Sequence, residues 1–135
     1  MNIWGQILPL CVAGSALAGC VSTEGTEKTV TRTATAGQTI RIFDWTSVNF
    51  DCSPQPAPTI KVVRKPEHGT VSVRAAAVYP NDFSGDYRKC NNRKTPGTAA
   101  YYTSKAGFVG TDTVELHLFS SDGDLDVRKI LIRLS

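Results

Sequence analysis

Residues 107–114, GFVGTDTV, join a glycine-rich turn directly to an alternating strand pattern. Gly107 and Gly110 permit a sharp change of chain direction, because glycine adopts backbone angles that other residues avoid. The carboxylate of Asp112 can accept backbone N–H bonds at such a corner, and Phe108 is expected to close the end of a core. The overlapping sequence TVELHLF then alternates apolar and polar residues. We therefore interpret this stretch as the corner from which a long strand begins, not as a ligand site.

A period of two recurs along most of the chain, for example in QTIRIF (38–43), TVSVR (70–74) and KILIRL (129–134). This alternation is typical of strands with one buried face, and no window of a dozen residues shows helical amphipathicity. The pattern predicts an all-β, antiparallel two-sheet sandwich of about seven or eight strands. The candidate strands lie near residues 28–34, 38–43, 59–65, 69–74, 76–79, 99–104, 112–119 and 127–134.

The segment KPEHGTV (65–71) has the composition of a tight turn between two of these strands. Pro66 presets one backbone torsion, and Gly69 is expected to adopt a positive φ at no steric cost. His68 is interpreted as a turn residue beside that glycine. A strand is predicted to resume at Thr70.

Four of these sequences together resemble the bacterial Ig-like, cadherin-like modules of surface proteins: KPEHGTV, YTSKAGFVGTDTV, GQTI and SDG. The resemblance covers roughly residues 29–134. It implies an Ig-like sandwich in which structural turns are formed by His68, Gly69, Gly107, Gly110 and Asp112. Such motifs indicate a fold and carry almost no information about activity.

The N-terminus begins with an apolar run, ILPLCVAGSALA (7–18), that is too short to span a bilayer and suits a cleaved signal. The sequence LAGC that ends at Cys20 resembles the lipobox of bacterial lipoproteins, in which this cysteine carries a lipid. The segment before the run has no Lys or Arg, unlike most signals. An ordinary signal peptide with an incidental Cys20 is the alternative.

This interpretation divides the chain into a cleaved signal (1–19), a lipidated cysteine with a tether (20–28) and one sandwich domain (29–135). The membrane is then a partner through the lipid. Because Val21 rather than Asp follows the cysteine, the resemblance implies the outer membrane, facing the periplasm or the cell surface. The net charge of +3 is too small to suggest a nucleic-acid partner.

Four cysteines are present, of which Cys11 lies in the signal and Cys20 would carry lipid. Cys52 and Cys90 then remain together in an oxidising compartment, which predicts a disulfide between them. Two distant cysteines and two histidines do not have the spacing of a zinc site, so no metal and no cofactor are expected.

Residues at about 75–100 form an insertion that the usual module lacks. Around Cys90 it concentrates basic residues next to an aromatic one, and we predict that these contact a partner: Tyr87, Arg88, Lys89, Arg93 and Lys94. The expected partner is an unidentified envelope protein or an anionic glycan. An ordinary solvated loop is the alternative.

The turn DGDLD offers alternate carboxylates to a cation at Asp122, Asp124 and Asp126, but lacks the remaining ligands of an EF-hand loop. A solvated hairpin turn is the favoured interpretation, and calcium binding remains open.

The chain has no Gly-x-Ser-x-Gly, His-Glu-x-x-His, phosphate-binding or dinucleotide-binding pattern, and no motif selects a catalytic triad around His68 or His117. The leading hypothesis is therefore a lipid-anchored, non-enzymatic interaction module. The alternatives are a periplasmic inhibitor of a hydrolase, such as lysozyme or a protease, and a structural accessory subunit of an envelope complex.

We expect Cys20→Ala to move the protein from the detergent phase to the aqueous phase, because the thiol that carries the lipid is lost. Detergent-phase partitioning of cell extracts measures this. Cys11→Ala is the matched control and should partition like the wild type. Persistent partitioning of Cys20→Ala into detergent would show that Cys20 is not the anchor.

Overall fold

A computed structural model describes residues 27–135, which consist mainly of β-structure. The predicted signal, Cys20 and residues 21–26 lie outside the described residues, and the last two tether residues begin the first strand. Among the described residues, no helix is long and apolar enough to cross a membrane. The strands are β1 (Glu27–Ala34), β2 (Thr39–Trp45), β3 (Thr59–Arg64), β4 (Gly69–Val78), β5 (Thr95–Ser104), β6 (Gly110–Phe119) and β7 (Leu125–Leu134), with a short 3-10 helix (Gly85–Cys90) between β4 and β5.

The strands form two sheets, with the orders β1-β7-β6-β3 and β2-β5-β4. The predicted all-β sandwich is thereby confirmed, with seven strands. Every neighbouring pair is antiparallel except β1 and β7, which run parallel with residues 27–34 opposite 127–134. Because β2 belongs to the other sheet, β1 does not pair with the strand that follows it. It pairs instead with β7, which runs in the same direction.

The β4–β5 hairpin is longer than the sequence pattern predicts. Two candidate strands on either side of Ala75 form the single strand β4, because its pairing with β5 continues without a bulge. β5 begins at Thr95, earlier than expected. Within the segment 75–100, the first residues therefore belong to β4 and the last ones to β5, and the two ends pair with each other. Only residues 79–94 form a connecting loop, which we call the basic loop.

The predicted alternation in β6 places Val114, Leu116 and Leu118 in the core, where they are 0–1% exposed. Leu131 interrupts the alternation of β7 and is only half-buried. The core contains side chains from both sheets, and burial of this apolar surface holds the sheets together. Its members are Ile42, Ile60, Ala100, Tyr102, Val114, Leu116, Leu118, Ile130, Ile132 and Leu134.

The buried carboxylate of Asp112 joins three parts of the fold at one end of the sandwich, which we call the Asp112 corner. It accepts backbone N–H bonds from Glu67, His68 and Thr113, each at 3.0 Å. The Tyr102 hydroxyl donates to the same carboxylate at 2.7 Å. Asp112 is 3% exposed and Tyr102 is fully buried. The β3–β4 turn, β5 and β6 therefore share one charged acceptor.

Gly69 is required at this corner for a reason that differs from the expectation. Its φ does not lie in the left-handed region. An added Cβ would instead lie 2.4 Å from the carbonyl oxygen of Thr103 and 2.7 Å from Cε2 of Tyr102. Glycine is therefore needed because β4 begins in direct contact with the ring of Tyr102 and the backbone of β5.

The glycines of the opening sequence do adopt left-handed angles, with φ of +79° at Gly107 and +138° at Gly110. Between them, Phe108 packs against the core. The imidazole ring of His68 stacks on Phe108 with the ring centroids 3.9 Å apart. The residues assigned to structural turns thus lie together at the Asp112 corner.

We expect the free energy of unfolding to fall as the pH rises above about 10, the ordinary pKa of tyrosine. Burial of Tyr102, its hydrogen bond to Asp112 and the charge of that carboxylate all raise the pKa of Tyr102. The unfolded chain therefore releases this proton first, and the stabilisation present below pH ~10 is lost at about 1.4 kcal/mol per pH unit. Urea unfolding across alkaline pH measures the slope.

Tyr102→Phe should be less stable at neutral pH by about 1–3 kcal/mol, because the Asp112 carboxylate loses a donor. Its stability should then fall less steeply with alkaline pH. Tyr79→Phe, at an exposed tyrosine, is the matched control and should keep the wild-type slope. An unchanged slope in Tyr102→Phe would contradict the role assigned to this hydroxyl.

Candidate functional site

Three connections meet at the end of the sandwich opposite the Asp112 corner: the β2–β3 loop (46–58), the basic loop (79–94) and the β6–β7 turn (120–124). The parallel pairing of β1 with β7 brings Glu27 and Leu125, where these strands begin, to the same end. We call this surface the tether end, because the chain enters the domain here.

A disulfide between Cys52 and Cys90 links the β2–β3 loop to the basic loop and confirms the predicted pairing. The sulfur atoms are 2.06 Å apart, and the cysteines are separated by 38 positions in sequence. Beside this bond, the ring of Phe50 stacks on Tyr87 with the centroids 4.6 Å apart. One covalent bond and one aromatic contact therefore hold the two loops together.

The basic loop is also braced internally. The side chain of Asn91 accepts the N–H of Phe83 and donates to its carbonyl oxygen, both at 3.0 Å. The N–H of Asn92 donates to the carbonyl oxygen of Pro80 at 2.7 Å. Cys90, the last residue of the 3-10 helix, is 1% exposed. The loop is thus attached to the domain at its middle and closed on itself by hydrogen bonds.

The β2–β3 loop has a polar network of its own. The side-chain oxygen of Asn49 accepts a hydrogen bond from the Gln55 amide at 3.1 Å, and the backbone N–H of Asn49 donates to the carbonyl oxygen of Ser53 at 2.9 Å. The hydroxyl and the N–H of Ser53 donate to Asp51, and these bonds together with the charge of Lys89 lower the pKa of Asp51. Lys89 of the basic loop therefore lies close enough to act on this loop electrostatically.

Four basic side chains project from the braced loop: Arg88, Lys89, Arg93 and Lys94. All are exposed, and within residues 27–135 none of them forms an ion pair with a carboxylate. The loop also contains Asp82 and Asp86, so its net charge is +2. Tyr87, which was predicted as part of the same surface, is half-buried against Phe50. The loop therefore presents cations whose charge is available to an anionic partner.

A cleft of about 620 Å³ opens between β1 and β2, beside the basic loop. Aromatic and charged side chains both line it, and one of the charged residues, Arg128, pairs with Asp126 at 2.7 Å. The aromatic lining residues are Phe43, Trp45, Tyr79 and Phe83, and the charged ones are Lys28, Arg32, Asp44, Asp82 and Arg128.

Two of the three aspartates near the β6–β7 turn have different side-chain partners. Asp122 accepts a hydrogen bond from the Ser120 hydroxyl, and Asp126 pairs with Arg128. In the part of the chain that the structure describes, no group of three or more His, Cys, Asp and Glu side chains is arranged to hold a metal ion. The turn is instead closed by its own backbone, with the N–H of Ser120 donating to Asp124 at 3.0 Å.

The residues singled out from the sequence thus fall into two groups at opposite ends of the molecule. The turn residues surround Asp112, whereas the basic residues and the disulfide lie at the tether end. Sequence reasoning missed Phe50, which is 59% exposed and stacks on Tyr87. Its position two residues before Cys52 could have indicated this contact, because a disulfide brings neighbouring side chains of the two loops close together.

Comparisons of the chain with protein-family models, curated proteins and solved structures find no match. The geometry of the tether end is therefore the basis for proposing a function.

We expect the double variant Cys52→Ser, Cys90→Ser to lose about 3–5 kcal/mol of unfolding free energy, because opening a loop of this length increases the entropy of the unfolded chain. Urea unfolding of the variant and of the reduced wild type should agree. Thiol labelling of the denatured, unreduced wild type should find neither cysteine free. Labelling of both would show that the bond is absent from the protein in solution.

Proposed function

We propose that this protein is a lipid-anchored, non-enzymatic module of a bacterial cell envelope that binds an anionic partner through the basic loop. The observation that carries the proposal is the bracing of that loop: Cys90, in the middle of its cations, is bonded to Cys52. Four exposed charges without ion partners among the described residues are thereby attached to a fixed surface.

An ordered basic loop favours binding for an entropic reason. Charges on an ordered loop lose less conformational freedom on binding than charges on a mobile one. An exposed ionic contact contributes at most about 1 kcal/mol, so several must act together. Cations presented by one loop, next to the aromatic pair Phe50 and Tyr87, satisfy that requirement.

Envelope anchoring is supported by two independent features of the chain. The LAGC sequence that ends at Cys20 resembles a lipobox, and the Cys52–Cys90 disulfide requires an oxidising compartment such as the periplasm or the cell surface. The two-sheet, seven-strand sandwich is compatible with the resemblance to Ig-like modules of surface proteins, on which the proposal draws. We assign the protein to the outer membrane because Val21, and not Asp, follows Cys20 in the lipobox-like sequence.

The positions of the two histidines support a non-enzymatic role. His68 lies in the turn at the Asp112 corner, where its ring stacks on Phe108. His117 lies on β6 beside Phe119, with the ring centroids 6.4 Å apart. Neither histidine has a hydrogen bond to a serine, threonine or cysteine side chain among the described residues, so neither is positioned as the base of a nucleophile.

In a soluble Cys20→Ala form of the protein, we expect a quadruple substitution in the basic loop to reduce retention on isolated outer membranes. The four residues changed together to Ser are Arg88, Lys89, Arg93 and Lys94. Retention of the unsubstituted loop should fall as the salt concentration rises, since exposed charges are screened. Cosedimentation across a salt series measures both effects.

A matched control removes four exposed cations elsewhere, by changing Lys61, Lys65, Lys105 and Arg133 to Ser. It alters the net charge equally and should leave retention near the level of the unsubstituted protein. If both quadruple variants are retained alike, the basic loop is a solvated surface and the partner binds elsewhere.

A further inference from the structure

We propose that the tether end rests on the surface of the bilayer that holds the protein's own anchor, and that anionic phospholipid headgroups are the partner of the basic loop. This inference depends on the proposed lipidation of Cys20. It adds to the proposed function the identity of the anion and the orientation of the domain on the membrane.

The first support is the place where the chain enters the domain. Six residues, 21–26, separate Cys20 from Glu27, so the first strand begins within about 25 Å of the lipidated cysteine even if these residues are fully extended. The parallel pairing of β1 with β7 makes Glu27 part of the tether end. The basic loop is therefore on the end that the anchor holds nearest the bilayer, whereas the Asp112 corner is at the far end.

The second support is a set of exposed apolar side chains at the same end. Phe50 is 59% exposed, Tyr79 61% and Leu125 41%. They come from three different segments: the β2–β3 loop, the basic loop and the start of β7. Aromatic and aliphatic side chains beside Lys and Arg are the composition that suits the headgroup region of a membrane. Contact with lipid would remove these apolar side chains from water and would explain why the domain exposes them.

These segments are joined into one platform. The Cys52–Cys90 disulfide connects the β2–β3 loop to the basic loop, and the Ser121 hydroxyl contacts the Gln55 side chain at 3.3 Å, connecting the β6–β7 turn to the same loop. A platform whose backbone is already ordered can place several side chains on a surface at a lower entropic cost, because only the side chains remain to be ordered.

Charge at the tether end is mixed, which limits what electrostatics contribute. The cations of the basic loop are accompanied by carboxylates on all three connections: Asp51, Asp82, Asp86, Asp122 and Asp124. Lys28 and Glu27 begin β1 nearby. Net charge therefore does not attract this end to the membrane. The tether and the apolar side chains bring it there, and the cations orient the basic loop toward lipid phosphates, whose attraction acts only within about a Debye length.

The experiment uses the lipidated protein reconstituted into vesicles that contain phosphatidylglycerol, phosphatidylcholine and a brominated lipid that quenches tryptophan. Of the two tryptophans, Trp4 lies in the proposed signal, so Trp45→Phe provides a background without tryptophan. Tyr79→Trp then reports on the tether end. Val109→Trp, at a site that is 69% exposed beside the Asp112 corner, is the matched control.

We expect quenching of Tyr79→Trp and none of Val109→Trp. Changing Arg88, Lys89, Arg93 and Lys94 to Ser should reduce the quenching in vesicles with phosphatidylglycerol and leave it unchanged in phosphatidylcholine alone. Hydrogen exchange of the unsubstituted lipidated protein is a second measurement that needs no variant. Amides of the β2–β3 loop and the basic loop should exchange more slowly on vesicles than in detergent.

Vesicle flotation separates the two levels of the proposal. Protein that does not float with vesicles lacks the anchor, and the proposed function then fails together with this inference. Protein that floats but shows neither quenching at Tyr79→Trp nor slower exchange is anchored without docking, which overturns the inference alone. Cross-linking of the tether end to an acidic envelope protein, without quenching in vesicles, would assign the surface to a protein partner and also overturn it.

Discussion

The hydrogen bonds to the Asp112 carboxylate are the constraint on which the arrangement of the sandwich depends. A carboxylate that is 3% exposed must be satisfied within the protein, and three backbone N–H groups and the Tyr102 hydroxyl do so. Because the donors come from the β3–β4 turn, β5 and β6, the carboxylate ties one sheet to the other in one register. The core could tolerate small displacements of apolar side chains, but this set of directional bonds could not.

The two ends of the domain are therefore stabilised by different means. At the Asp112 corner, tight turns are closed by hydrogen bonds to one acceptor. At the tether end, long loops leave the sheets, and a disulfide replaces the contacts that short turns would make. The candidate binding residues lie accordingly in the basic loop, where side chains can serve a partner without disturbing the core.

Much of the fold follows from local sequence. The alternation in β6 predicts its buried face, and the compartment implied by Cys20 predicts the pairing of Cys52 with Cys90. The features that were missed depend on contacts between distant segments. The need for glycine at position 69 comes from Tyr102, which lies on another strand, and the stacking of Phe50 on Tyr87 requires two loops to meet. The continuity of β4 through its alanines is likewise decided by pairing with β5.

The parallel pairing of β1 with β7 has a mechanical consequence. With Cys20 as the proposed anchor, a force that pulls the domain away from the membrane enters at Glu27 and acts along the axis of β1. The hydrogen bonds between residues 27–34 and 127–134 lie across that axis, so they are loaded in shear and share the force, instead of opening one after another like a zipper. With that anchor, the edge strand β1 would transmit the force to the whole sheet through its pairing with β7.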